Sequence, residues 1–198
     1  SSAGGIIGAA SYKYKLTNCH NEAEISGAQC VGGIDGGAAE IECTGCYNTG
    51  NITGSSQWTA GIVGYTSVST TLSACYNTGN VTATGTNATQ IGGLVGYSAR
   101  GIVISKSYNT GDITGDSTST YLGGLVGVLG SSSNSRITNS YNIGNVTGGA
   151  HVGGIAGRAN FTINKCYNSG SINGSDDIGG IVGKNTTTST ITNSYYLS

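Results

Sequence analysis

The sequence predicts an all-β parallel solenoid of about seven coils, with three short strands in each. Three observations predict it. A glycine-aliphatic-x-glycine motif recurs seven times, its successive first glycines (Gly5, Gly33, Gly61, Gly93, Gly124, Gly154, Gly180) lying 26–32 residues apart. A second block follows each copy: Cys46-Tyr47-Asn48-Thr49-Gly50-Asn51-Ile52-Thr53 returns from Cys75, Ser107, Ser140 and Cys166, with a degenerate copy from Cys19 and a truncated one at Ser194-Tyr195. The chain holds 36 glycines and no proline, and no segment carries a sustained 3.6-residue apolar stripe, so helices are excluded. Right-handed winding is expected from the general bias of parallel crossovers.

Each element of a coil has a local reason. The first strand is placed around the glycine motif, the second around Ile-x-x-Cys/Ser-Tyr and the third around Asn-Val-Thr, because these runs are β-branched or aromatic and bounded by turn residues. Stacked at the usual inter-strand spacing of about 4.8 Å, seven coils make a rod of about 34 Å. Variation in period is assigned to Ser/Thr-rich loops at 66–71, 84–89, 115–120 and 131–135. The aliphatic residue after the motif's glycine is expected to point inward, as are Leu16, Leu72, Ile104, Ile137, Ile163 and Ile191. Tyr47, Tyr76, Tyr108, Tyr141, Tyr167 and Tyr195 stand four residues after those aliphatics, or at the matching place, so period-two alternation predicts an inward aromatic ladder. Asn48, Asn77, Asn109, Asn142 and Asn168 follow, and an asparagine ladder is expected at that corner. Corner glycines are expected to supply positive φ.

Composition narrows the class of partner. With 8 basic and 9 acidic residues the net charge is −1, which excludes nucleic acid or an anionic membrane surface as the main partner. No run approaches the roughly 20 apolar residues of a membrane span, so membrane insertion by a helix is not expected. Residues 1–198 read as a single repeat domain; its start inside a repeat reads as a piece of a longer extracellular protein, and the turnless Ser194–Ser198 reads as the end of an array.

Gly92-Gly93-Leu94-Val95-Gly96 with Ser107 to Gly115, and Gly123 to Gly127 with Ser140 to Gly148, resemble the GLUG motif of bacterial surface proteins. The resemblance extends over essentially the whole chain. It implies a spacer or binding segment at the bacterial cell surface, similar to arrays in adhesin-like proteins and in some immunoglobulin-A-cleaving metallopeptidases. No peptidase motif accompanies it: His20 and His151 are the only histidines.

The chemistry-bearing residues have competing readings. Cys43 replaces a core aliphatic, and Cys19, Cys46, Cys75 and Cys166 alternate with serines at one small-residue position, so packing is the first reading of the cysteines. Disulfides across the first coils, or a zinc site drawn from Cys19, His20, Cys30, Cys43 and Cys46, are the alternatives. Glu22 with Glu24, and Glu40 with Glu42, are carboxylate pairs of the kind glycoside chemistry needs, and also suit solvated edges that deter strand pairing. Gly180 to Lys184 lacks the remaining P-loop residues. Threonines form single columns rather than the paired columns of an ice-binding face.

The expected function is that of a non-enzymatic extracellular structural or adhesin-like module without a cofactor, acting as rigid spacer or binding surface toward neighbouring domains, a host protein or a glycan. The alternatives are a subunit that assembles with identical subunits into filaments, and a carbohydrate-binding or carbohydrate-active β-helix.

Overall fold

The structure is a computed structural model and describes residues 1–130, 134–186 and 189–197. One coil shows how the sequence winds. The chain runs through a strand at Gln57–Ala60, turns at Gly61-Ile62, and continues through a long strand at Val63–Ser73. It turns again at Ala74, forms a short strand at Tyr76–Asn77, turns at Gly79 and ends the coil on Val81–Ala83. Every strand pairs in parallel with its equivalent one coil on: Thr89 with Thr120, Val63 with Val95, Tyr76 with Tyr108, Val81 with Ile113. The result is a parallel β-solenoid of about seven turns without a helix among the described residues, its strands collected into sheets of 7, 11, 7 and 6.

There are four sheets rather than three because the glycine motif is a corner between two strands. In Gly92-Gly93-Leu94-Val95, strand ends at Gly92 and resumes at Val95. Residues 66–71, expected as a loop, are continuous strand with a register irregularity between Thr66 and Ser69. A buried hydroxyl chain explains why they hold together: Thr66 and Thr70 meet at 2.8 Å, and Thr66 donates to Ser98 at 2.8 Å. Of the expected loop at 131–135, residues 131–133 lie outside the described residues.

The interior is built from columns. Ile34, Ile62, Leu94, Leu125 and Ile155 form one, and Leu72, Ile104, Ile137 and Ile163 another, all without solvent exposure. A third apolar column, Ile52, Val81, Ile113 and Val146, fills the other half of the cross-section. Between the two halves runs the asparagine column, and the glycines face it. A Cβ on Gly33 would stand 2.5 Å from Asn48 Cγ, and Gly93 has the same relation to Asn109. These glycines are therefore required for close approach. Among the described glycines only Gly45 has positive φ, so the expected conformational role of the corner glycines is corrected.

Positive φ occurs instead at non-glycine corners. One corner column is Asn18, Ala74, Lys106, Asn139, Lys165 and Asn193, with Gly45 in its second coil. This left-handed residue breaks the alternation on which the inward tyrosines were predicted. Leu72 points in, Ala74 turns the chain, Cys75 points in, and Tyr76 is thrown outward with Asn77 inward. The tyrosines stand on the surface.

Candidate functional site

Two ladders flank each other on the Tyr-Asn strand. Outside, the rings of His20, Tyr47, Tyr76, Tyr108, Tyr141 and Tyr167 stack at 4.8–5.0 Å with interplanar angles of 6° or less. Tyr195 continues the backbone register but is largely exposed. Inside, Asn48 Nδ2 donates to Asn77 Oδ1 at 2.7 Å, and the same bond links Asn77 to Asn109, Asn109 to Asn142, and Asn142 to Asn168. Asn21 extends this ladder by one coil, donating to Asn48; the degenerate first copy hid it. Each amide's second hydrogen goes to a carbonyl two residues on, as Asn77 to Gly79. Stacked rings and fully bonded buried amides tie each coil to the next and so belong to the frame.

The cysteines are free thiols. Cys43, Cys46, Cys75 and Cys166 are buried in the aliphatic core, and burial raises the Cys166 thiol to about 11. The five residues weighed as zinc ligands do not converge. Cys19, Cys43 and Cys46 face the interior, His20 stacks outside on Tyr47, and Cys30 sits on a different corner. Among the described residues no group of three or more His, Cys, Asp or Glu side chains could hold a metal ion.

The carboxylate pairs also separate. Glu40 and Glu42 share an outer face with two lysines: Lys13 meets both at 2.8 Å, and Lys15 meets Glu42 at 2.7 Å. Hydrogen bonds from Lys13 and Lys15 lower Glu42 to about 2, the opposite of what a general acid needs. Glu22 and Glu24 are solvent-exposed on another stretch of the coil, Glu22 within 3.8 Å of His20. Asp35 is different: it is fully buried, and neither carboxylate oxygen has a hydrogen-bond partner of normal geometry. It occupies a position held by Ile7 in the coil before and Val63 in the coil after.

One surface feature escaped the sequence reading. The second left-handed corner holds Cys30, Trp58, Gln90, Tyr121, His151 and Asp177, three residues before each motif glycine. Beside it, seven residues on in every coil, runs the register column Gly37, Tyr65, Tyr97, Val128, Arg158 and Lys184. The two columns interlock. Trp58 stacks on Tyr65 at 4.4 Å, and its indole N–H donates to Gln90 Oε1. Tyr65 and Tyr97 lie 5.8 Å apart; Arg158 lies 5.5 Å from the Tyr121 ring centre, which also faces His151 at 4.6 Å. Asp177 pairs with His151 at 2.8 Å and Lys184 at 3.5 Å. The fixed offset from the motif was the available signal, hidden because no two coils place the same residue at the left-handed corner.

Compared with known proteins, residues 87–114 match the family model described as the GLUG motif, the stretch from the Asn87 loop through the Leu94 corner to Thr114. No curated protein and no solved structure matches the chain.

Proposed function

We propose that this chain, a β-solenoid carrying a GLUG motif, is a non-enzymatic rigid module of an extracellular bacterial surface protein, which spaces neighbouring domains and presents a binding surface. The observation that carries this reading is the continuity of the frame. The asparagine ladder passes from Asn21 to Asn168 through six coils without interruption. Such a frame resists bending because every coil is bonded to the next at the backbone, in the core and on the surface. Side chains that differ from coil to coil, by contrast, lie on the corner strip from Cys30 to Lys184.

Removal of two whole coils tests the spacer role. Deleting residues 61–123 joins Ala60 to Gly124, the repeat equivalent of the Gly61 that normally follows Ala60. The shortened chain is expected to unfold cooperatively and to lose about 10 Å of length by small-angle scattering, two coil steps. An unfolded product, or a glycan- or peptide-cleaving activity of the intact chain that Glu40→Gln abolishes, would overturn the reading.

A further inference from the structure

We infer that the paired corner columns bind a linear acidic glycan laid along the solenoid axis. The inference rests on the presenting role proposed above and names its ligand class.

A bulky residue in the left-handed region is disfavoured by about 1–2 kcal/mol relative to glycine. The corner at Ala74 is filled largely by small or flexible polar residues, including Asn18, Gly45, Asn139 and Asn193. The corner at Trp58 instead holds Trp58 at φ 65°, Gln90 at 64°, Tyr121 at 60° and His151 at 59°. Since Cys30 and Asp177 occupy the same corner in other coils, the frame dictates no particular side chain there. Strained bulky residues at a position the fold leaves free point to a role in display.

Dimensions decide between ligand classes. From Cys30 to Asp177 is five coil steps, about 24 Å, and the strip is two side chains wide, so it offers on the order of 300 Å². A stable protein partner needs about 800 Å² on each side. A single extended chain needs far less, and the rise of one sugar along such a chain is close to one coil step.

The chemistry of the strip matches that ligand. Trp58, Tyr65 and Tyr97 stack on one another, so the cluster offers its ring edges and, beside Gly37, the open side of Tyr65 to the C–H faces of sugar rings, with the tyrosine hydroxyls as polar tips. Next to Tyr65, where Gly37 and Cys30 carry little or no side chain, the surface opens into a pocket of about 350 Å³ lined by Gly37, Ala38 and Ala39 and, in the first coil, by Ser2, Ala10 and Ser11. Three coil steps along the strip, Arg158 is held over Tyr121 and pairs with no carboxylate among the described residues. Its guanidinium fork is preorganised for a carboxylate; Lys184, one coil on, is already matched by Asp177, so Arg158 supplies the uncompensated positive charge. The strip thus combines an aromatic platform with a cationic end on a chain of net charge −1, which selects a uronate-bearing glycan over a neutral one.

Trp58 is the only tryptophan, so its fluorescence reports on the site directly. The test titrates the intact chain with hexagalacturonate and, in parallel, with neutral cellohexaose. A saturable fluorescence change is expected with the uronate, with at least tenfold weaker binding of the neutral chain. Arg158→Ala is expected to weaken uronate binding about tenfold and leave the circular dichroism spectrum unchanged. Tyr65→Ala is expected to abolish binding of both, read by calorimetry. Equal affinity for the two glycans with no effect of Arg158→Ala overturns the acidic specificity. Uronate binding that survives Tyr65→Ala unchanged overturns the site. Failure of both glycans to bind overturns the glycan assignment but leaves the spacing role standing, whereas cleavage of either oligosaccharide overturns the non-enzymatic reading itself.

Discussion

Asn77→Ala is expected to destabilise the solenoid by about 3–5 kcal/mol, among the largest effects of any single truncation in its middle coils. Asn77 is fully buried; it accepts from Asn48 and donates to Asn109 and to the Gly79 carbonyl, each at 2.7 Å. Alanine leaves an Asn48 N–H, the Asn109 amide oxygen and the Gly79 carbonyl without these partners in a site no water reaches. Each orphaned group costs about 1–3 kcal/mol, whereas a satisfied bond contributes only about 1. The neighbouring Tyr76→Ala is the control. It removes two ring stacks from the surface, worth about 0.5–1.5 kcal/mol each, and orphans nothing inside. Urea midpoints of the two variants decide: a deficit for Asn77→Ala no larger than that for Tyr76→Ala would mean that the ladder is ornamental.

Asp35→Val is expected to act in the opposite direction. Burial raises the Asp35 carboxyl to about 7 from an ordinary value near 4, outweighing the opposing effects of the Tyr14 hydroxyl and the Gly37 backbone. Because the folded pKa lies above the unfolded one, the folded chain holds a proton between about pH 4 and pH 7 that the unfolded chain has released. Stability therefore falls as pH rises through that window, by at most about 4 kcal/mol for a shift of this size. Valine is the residue in register at positions 63, 95 and 126. The substitution is expected to stabilise the protein by about 2–4 kcal/mol at pH 8 and by much less at pH 4. Denaturation curves at the two pH values check both the gain and the lost slope; a variant less stable than the parent at pH 8 would show that Asp35 has a partner it needs when ionised.

Repetition made the architecture legible, and the same repetition limits what could be read. Seven copies of a motif fix the coil and place Ile62, Leu94 and Leu125 in one column, because an equivalent residue in every copy must have an equivalent environment. The orientation of Tyr76 was misread for a local reason. Ala74 adopts φ 52°, and nothing in an alanine announces a left-handed turn. Glycine raised that expectation at the wrong corner: Gly33 and Gly93 are small because asparagines lie against them. The binding strip stayed hidden for the opposite reason. Trp58, Gln90, Tyr121 and His151 share a place and a backbone conformation but no chemistry, so no repeat of residue type marks the column.

Side-chain amide exchange tests the core claim most directly, since a continuous buried asparagine column is what ties each coil to the next. In the folded chain, the NH₂ groups of Asn77, Asn109 and Asn142 are each shared between the next coil's amide and a carbonyl of their own coil. NMR is expected to show these amide protons exchanging as slowly as the backbone amides of the central strands, while that of exposed Asn51 exchanges freely. Equally fast exchange of the two sets would contradict the account.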